Sequence, residues 1–279
     1  MEVVAPVVGM RQRAREARAA GRTIGLVPTM GALHAGHLAL AARARSECDI
    51  VVLSIFVNPL QFGPTEDLAS YPRSPEKDAA LCREAGVDLL WTPAADDIHP
   101  PGHRTVVEVP GMQEVLCGRS RPGHFAGVTT VVAKLLAVVR PDAAYFGEKD
   151  AQQVRIIRRM VRDLHDEVRI VACPTVREPD GLALSSRNIY LTPEERRAAP
   201  VLCRALRIAA EAGRAGDTDA ARVVARLRAT IAAEPLAALE YAEAVDGDTL
   251  EPVMTLRPGV LIAVAARFGR ARLIDNITV

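Results

Sequence analysis

Apolar positions along this chain fall into two textures. Some form short uninterrupted runs rich in β-branched residues, and others recur every three or four residues over longer stretches. The first texture marks strands buried on both faces, the second amphipathic helices. A helix rich in Arg and Ala is predicted over Gly9–Ala20; Gly21 ends it, and a strand follows at Thr23–Val27. A Pro-Thr-Met-Gly turn leads to a helical pattern from Gly36 to Ser46, and Ile50–Val57 reads as a second buried strand. Strand, helix and strand in such short compass make a βαβ unit. The alternation continues with a helix at Pro75–Ala85, strands at Val87–Trp91 and Thr105–Val109, and a helix at Gly127–Val139. A strand at Ala143–Phe146, a helix at Ala151–Leu164 and a strand at Val168–Cys173 complete it, so an α/β unit with a mostly parallel sheet is expected over residues 1–176.

Past Val176 the texture changes. Pro193-Glu194-Glu195 opens a predicted long Ala/Arg helix, Asp217–Ala233 a second, and three strand-like runs close the chain. The last two, Val260–Arg267 and Ala271–Ile277, flank Phe268-Gly269-Arg270 as a hairpin. Residues 177–279 therefore read as a smaller α+β domain, with the boundary placed within a few residues of 176.

Length and charge narrow the possibilities. A chain of 279 residues carries core enough for two domains without disulfides or a structural metal. A net charge of +1, with acids and bases interspersed, argues against a nucleic-acid or anionic-membrane partner. No apolar run approaches a membrane span and none near the N-terminus suits a signal peptide, so a cytoplasmic protein is expected. Cys48, Cys82, Cys117, Cys173 and Cys203 are odd in number and widely spaced, as free buried thiols are. Of 35 basic residues only Lys77, Lys134 and Lys149 are lysines. In a chain so biased toward arginine, a retained lysine flags a site that needs a compact ammonium rather than a planar fork.

Three segments carry chemistry. The first is Pro28-Thr29-Met30-Gly31-Ala32-Leu33-His34-Ala35-Gly36-His37, between a buried strand and a helix. In an open parallel sheet ligands bind at the carboxyl ends of strands, where this turn sits. Its glycines let backbone approach a ligand, the helix N-terminus offers N–H groups to phosphate, and His34 and His37 share one side of the first turn. A metal pair would more commonly use i,i+4 spacing with a nearby glutamate, and a dinucleotide site would need Gly-x-Gly-x-x-Gly; neither is present. The second, Phe146-Gly147-Glu148-Lys149-Asp150-Ala151-Gln152-Gln153, also joins a strand to a helix, so its polar groups face the same crevice. The third, Asp180-Gly181-Leu182-Ala183-Leu184-Ser185-Ser186-Arg187-Asn188, reads as a clasp able to hydrogen-bond phosphates. An early His-x-x-His turn paired with a late Ser/Arg loop is the way class I aminoacyl-tRNA synthetases and their relatives hold ATP. A Rossmann-like nucleotide-binding unit follows.

Together with Phe56-Val57-Asn58-Pro59, Gln61-Phe62 and Arg121-Pro122-Gly123-His124-Phe125, these segments resemble the pantoate–β-alanine ligase (pantothenate synthetase) family, in order along nearly the whole chain. The resemblance implies ATP-dependent joining of pantoate to β-alanine through a pantoyl adenylate, with AMP and pyrophosphate released, Mg²⁺ present and a homodimer formed. It implies that His34, His37, Lys149, Ser185, Ser186 and Arg187 are catalytic. The same residues bind ATP along with Met30, Gly147, Asp150, Val176 and Leu184. Gln61, Gln153, Phe62 and Arg121 would line the pantoate pocket, and Asp78 is a weaker candidate for organising Mg²⁺. Water must be kept from the adenylate, which makes the second domain the natural lid. Lys134, on an amphipathic helix, stays undecided between a structural and a functional role, and His99 and His103, in a Pro/Gly loop, read as surface residues. Two rivals remain open at this stage. One is a nucleotidyltransferase of the same superfamily, against which the neutral Gln61 and Gln153 speak. The other is a non-catalytic ATP-binding regulator.

Overall fold

The computed structural model describes residues 1–64, 66 and 68–279. Its first part holds strands β1 (Glu2–Val4), β2 (Ile24–Thr29), β3 (Ile50–Ile55), β4 (Leu89–Trp91), β5 (Ala143–Gly147) and β6 (Arg169–Cys173). Between them run α1 (Val7–Ala19), α2 (Ala35–Glu47), α3 (Pro75–Glu84), α4 (Ala95–Ile98), α5 (Leu116–Ser120), α6 (His124–Val139) and α7 (Ala151–Asp163). The C-terminal part holds α8 (Pro193–Ala198), α9 (Val201–Arg214), α10 (Ala220–Ala232), β7 (Ala238–Asp246), β8 (Val260–Phe268) and β9 (Ala271–Thr278).

The first six strands form one parallel sheet in the order β1-β4-β3-β2-β5-β6. The chain winds outward from β2 through β3 to β4, then returns to place β5 on the other side of β2. The crevice at the carboxyl ends of β2 and β5 is thus the switch point where ligands bind in such sheets. Both faces are covered, which is why these strands read as continuous apolar runs. Leu26, Val52, Ala144 and Phe146 pack with α1, α6 and α7, whereas Val27, Val51, Leu53 and Tyr145 pack with α2 and α3. β7, β8 and β9 form an antiparallel sheet. One face covers α9 and α10; Val245, Leu261 and Ala263 from the other join the core of the first part.

Three expectations are corrected, and β1 is an element the sequence reading does not include. The segment Thr105–Val109 is no strand: Val107 instead donates its N–H to Thr130 Oγ1 (2.9 Å), and its carbonyl accepts from Thr129 Oγ1 (2.5 Å), so it is held by α6 rather than by the sheet. The long helix from Pro193 is two helices, because Pro200 has no N–H to continue α8 and serves as the cap of α9. α6 begins at His124, three residues earlier than Gly127, on a left-handed Gly123. The short edge strand β1 carries too little pattern in its three residues to be read from sequence.

Candidate active site

The turn after β2 is built around an unusual backbone. Gly31 and Ala32 both adopt positive φ, +82° and +50°, which turns the N–H groups of Ala32 and Leu33 inward. Asp78 meets them: its two carboxylate oxygens accept from Ala32 N (2.9 Å) and Leu33 N (2.8 Å), and the residue is only 2 % exposed. Both oxygens are thereby committed to the turn. In this geometry Asp78 positions the turn, and it does not line the cleft.

His34 caps α2. Its Nδ1 accepts from Gly36 N (3.1 Å), and His37 Nδ1 in turn accepts from His34 N (3.3 Å), with ring centroids 4.1 Å apart. A neutral imidazole has one donor nitrogen and one acceptor. With Nδ1 the acceptor in both rings, each carries its proton on Nε2. Burial, aided by the nearby Lys149 ammonium, lowers both pKa values, that of His37 to about 3, which favours the neutral rings near pH 7. The result is two fixed Nε2–H donors at the mouth of the switch-point crevice.

The crevice opens into a broad, solvent-open cleft. Met30, His34 and His37 line it from the β2 turn, Gln61 and Phe62 from the segment after β3, and Arg121 from the link between α5 and α6. Gly147, Lys149, Asp150 and Gln153 reach it from the end of β5 and the first turn of α7. Val176, Leu184, Ser185, Ser186 and Arg187 close the far side. Every expected site residue except Asp78 is therefore brought to one cavity. An apolar wall of Val128, Val131, Val132 and Leu135, on one stripe of α6, completes it.

Gly127 lets this wall meet the Gln61 segment. A Cβ there would collide with Leu60 O and lie 2.6 Å from Gln61 N. Asn58, also lining the cleft, uses the same contact by donating from Nδ2 to Gly127 O (3.0 Å). Arg121 grips Glu66 with Nε and Nη2, both at 2.6 Å, and donates from Nη1 to His124 Nε2 (3.0 Å). His124 Nδ1 then donates to Gln61 O (2.8 Å), so Arg121 and His124 hold the Gln61 backbone. Burial would raise the Glu66 carboxyl, but Arg121 holds it down at about 2. Burial pushes His124 down to about 4.

The clasp is shaped locally. Ser185 Oγ accepts from Arg187 N (3.3 Å), and Asn188 Nδ2 donates to Ala183 O (3.1 Å). Strand β9 anchors both rims of the cleft. Arg177 pairs with the buried Asp275 at 2.6 and 2.8 Å, while Asn276 Nδ2 donates to the carbonyls of Glu148 (2.9 Å) and Lys149 (3.0 Å). Sequence reasoning missed Asn58 and Tyr71 among the lining residues. It also took His99 for a surface residue, whereas His99 is 8 % exposed and bonded on both ring nitrogens; His103 is exposed, as expected. Five unpaired cysteines are all buried. Among the described residues no helix is long and apolar enough to cross a membrane, and no cluster of three or more His, Cys, Asp and Glu residues is arranged to hold a metal ion.

Comparison with known proteins agrees with this geometry. The protein-family model described as pantoate-beta-alanine ligase matches residues 2–278. The pantothenate synthetase of Heliobacterium modesticaldum is 55% identical over 279 residues, covering 100% of this chain and 99% of that protein. The crystal structure of pantothenate synthetase from Thermus thermophilus is 49% identical, with a TM-score of 0.93 and coverage of 99% of each chain. That of pantoate-beta-alanine ligase from Francisella tularensis, complexed with beta-gamma ATP and β-alanine, is 35% identical with a TM-score of 0.81, covering 100% of this chain and 97% of that one. With a family model spanning nearly every residue and relatives matched end to end, the chain belongs to the pantoate–β-alanine ligase family.

Proposed function

We propose that this chain condenses pantoate with β-alanine at the expense of ATP, yielding pantothenate, AMP and pyrophosphate. One observation carries the reading. Two histidines with Nε2–H donors fixed by the backbone face a cleft that also presents Lys149, Ser185, Ser186 and Arg187 on its polar side, and two glutamines beside an apolar wall.

In the first step a pantoate carboxylate oxygen attacks the α-phosphorus of ATP, the bond to the bridging oxygen of the β-phosphate breaks, and pyrophosphate leaves. A carboxylate needs no general base, so the barrier is the approach of an anion to a polyanion. His34 and His37 donate hydrogen bonds to phosphate oxygens, and Lys149 and Arg187 supply charge where it accumulates. Ser185 and Ser186 hold the triphosphate, while Met30, Gly147, Asp150, Val176 and Leu184 bound the nucleotide. Gln61 and Gln153 bind pantoate as neutral amides, and Phe62, Met30 and the α6 wall accept its gem-dimethyl group. In the second step the β-alanine amine attacks the acyl carbon, the acyl–oxygen bond breaks, AMP leaves and the amine gives up a proton. The clasp and its domain, residues 177–279, act as a lid that keeps water from the adenylate.

Mg²⁺ belongs to this reading as the companion of the triphosphate, a habit of this ion. The described residues do not fit a protein-built cage for it, since Asp78 is committed to backbone N–H groups. A homodimer is carried by the family resemblance alone, and sedimentation equilibrium checks it. A cytoplasmic setting accords with five buried, unpaired cysteines.

The test is pyrophosphate exchange into ATP with pantoate and without β-alanine. Exchange that depends on pantoate is expected; its absence in protein that binds ATP would sink the adenylate scheme.

A further inference from the structure

A chain of polar groups runs from the half-buried Lys134 on α6 through three buried side chains to the cleft, and the proposed chemistry uses only its last member. Lys134 Nζ donates to Ile98 O (2.8 Å) and lies 2.9 Å from His99 Nδ1. His99 Nε2 lies 2.9 Å from Asn58 Oδ1. Asn58 Nδ2 is 3.1 Å from Gln61 Oε1, and Gln61 Nε2 faces the cleft against Met30 Sδ at 3.0 Å. His99, Asn58 and Gln61 are each at most 8 % exposed.

The direction of every hydrogen bond follows from the first group. An ammonium has donors and no acceptor, so His99 Nδ1 must accept. The ring then carries its proton on Nε2 and donates to Asn58 Oδ1. Burial and the adjacent ammonium push His99 down to about 4, which keeps the ring neutral and able to play both parts. Asn58 is held in the matching orientation by two local contacts: Oδ1 also accepts from Leu60 N (3.3 Å), and Nδ2 also donates to Gly127 O. Its remaining Nδ2 hydrogen points at Gln61 Oε1. The Gln61 oxygen is thus occupied, and the side chain shows the cleft its N–H₂ end. A glutamine presenting only donors suits a ligand oxygen and penalises a donor at the same place.

We propose that Lys134 and His99 are positioning residues for the acyl-substrate pocket, fixing through Asn58 the orientation in which Gln61 offers its amide N–H to pantoate. This rests on the assignment of Gln61 to pantoate given above. The His99 bond to Asn58, at 2.9 Å, is shorter than the local one from Leu60 and comes from a separate loop. It restrains the segment that carries Gln61.

Three variants test the relay in the full-length enzyme: His99→Phe, which keeps an aromatic ring beside Phe56 but removes both nitrogens; Lys134→Met, which keeps the stem; and His99→Gln, which can still accept from Lys134 and donate to Asn58. Steady-state constants for pantoate and ATP are measured with each melting temperature. His99→Phe and Lys134→Met are expected to raise the pantoate KM about tenfold, the worth of one hydrogen bond, with the ATP KM within twofold and recovery in His99→Gln. Parallel rises in both KM values, or an unchanged pantoate KM, would overturn the proposal. Gln61→Ala completes a cycle. Combined with His99→Phe it is expected to lose no more than Gln61→Ala alone, and additive losses would show that His99 does not act through Gln61. If Gln61→Ala leaves the pantoate KM unchanged, the pocket assignment fails and the relay with it. If Gln61→Ala raises that KM but His99→Phe does not, only the relay fails.

Discussion

The Asp78 carboxylate accepts the Leu33 N–H at 2.8 Å across a sequence separation of 45 residues, and its other oxygen accepts from Ala32. A side chain at the start of α3 thus holds the left-handed turn that aims His34 and His37. Asp78→Asn replaces one acceptor oxygen with an amide nitrogen facing an N–H donor. A buried donor left unmet costs about 1–3 kcal/mol. The expected outcome is a lower melting temperature and an adenylation rate reduced at least tenfold. The Mg²⁺ concentration giving half-maximal rate should not move; a large shift in that concentration would restore the metal role for Asp78.

The two nitrogens of His37 have separable tasks, capping and donating. Asn places an acceptor near the position of Nδ1 and nothing near Nε2, while Ala removes both. His37→Asn should therefore retain most of the wild-type melting temperature but lose about 10²–10³-fold in pyrophosphate exchange, the usual loss for one donor to a developing charge. Near-normal exchange in His37→Asn and His37→Ala alike would remove His37 from the catalytic set.

The Lys149 carbonyl accepts from Asn276 of β9, and the Lys149 side chain lines the cleft. Lys149→Ala should leave folding intact, read as an unchanged circular-dichroism melt, and lower the adenylation rate at least tenfold. Lys149→Arg is the sharper experiment in a chain that otherwise favours arginine. If a compact ammonium is what the site needs, arginine rescues only part of the loss.

How legible a feature is in sequence depends on how far apart its partners lie. The His34–His37 turn can be read because strand, glycines and histidines are contiguous, and the cap contacts span only two or three residues. Asp78 and His99 cannot. Their partners are 45 and 41 residues away, and a histidine in a Pro/Gly loop has nothing nearby in sequence to show that Asn58 and Lys134 enclose it. Thr105–Val109 has strand-like composition, yet strand formation needs an unpaired sheet edge within reach, and the α6 hydroxyls meet Val107 instead. The Pro193 helix departs from expectation for a simpler reason. Propensity summed over Ala and Arg favours one long helix, and the single proline at position 200 divides it.

Gly127 is a packing requirement that borders on function. Its absent Cβ makes room for the Leu60 carbonyl and Gln61 N–H, both main-chain groups that cannot rotate aside. Gly127→Ala should cost about 1–3 kcal/mol through overpacking and push the Gln61 segment off α6. The pantoate KM is expected to rise more than the ATP KM, because the histidine turn is held elsewhere by Asp78. Equal effects on both would mean that displacement at Gly127 reaches the nucleotide side as well.

Stability should fall as pH drops below neutrality, before the carboxylates begin to protonate. His37 is lowered to about 3 and His124 to about 4 in the folded chain, from an ordinary value near 6.5. Above pH 6.5 the folded and unfolded chains both hold these rings neutral, and the stabilisation is complete. As pH falls from 6.5 toward 4 the unfolded chain takes up protons that the folded chain refuses, so stability is lost across that window, by roughly 1–2 kcal/mol per histidine near pH 5. Glu66, held near 2 by Arg121, adds its own loss only below the ordinary carboxylate range. Urea unfolding at pH 7.5, 6.0 and 5.0 is expected to show midpoints falling with pH, and His37→Asn should flatten the decline by removing one titrating ring. A decline that begins only below pH 4.5, or an identical slope in the variant, would mean that His37 accepts its proton in the folded state as readily as in the unfolded one.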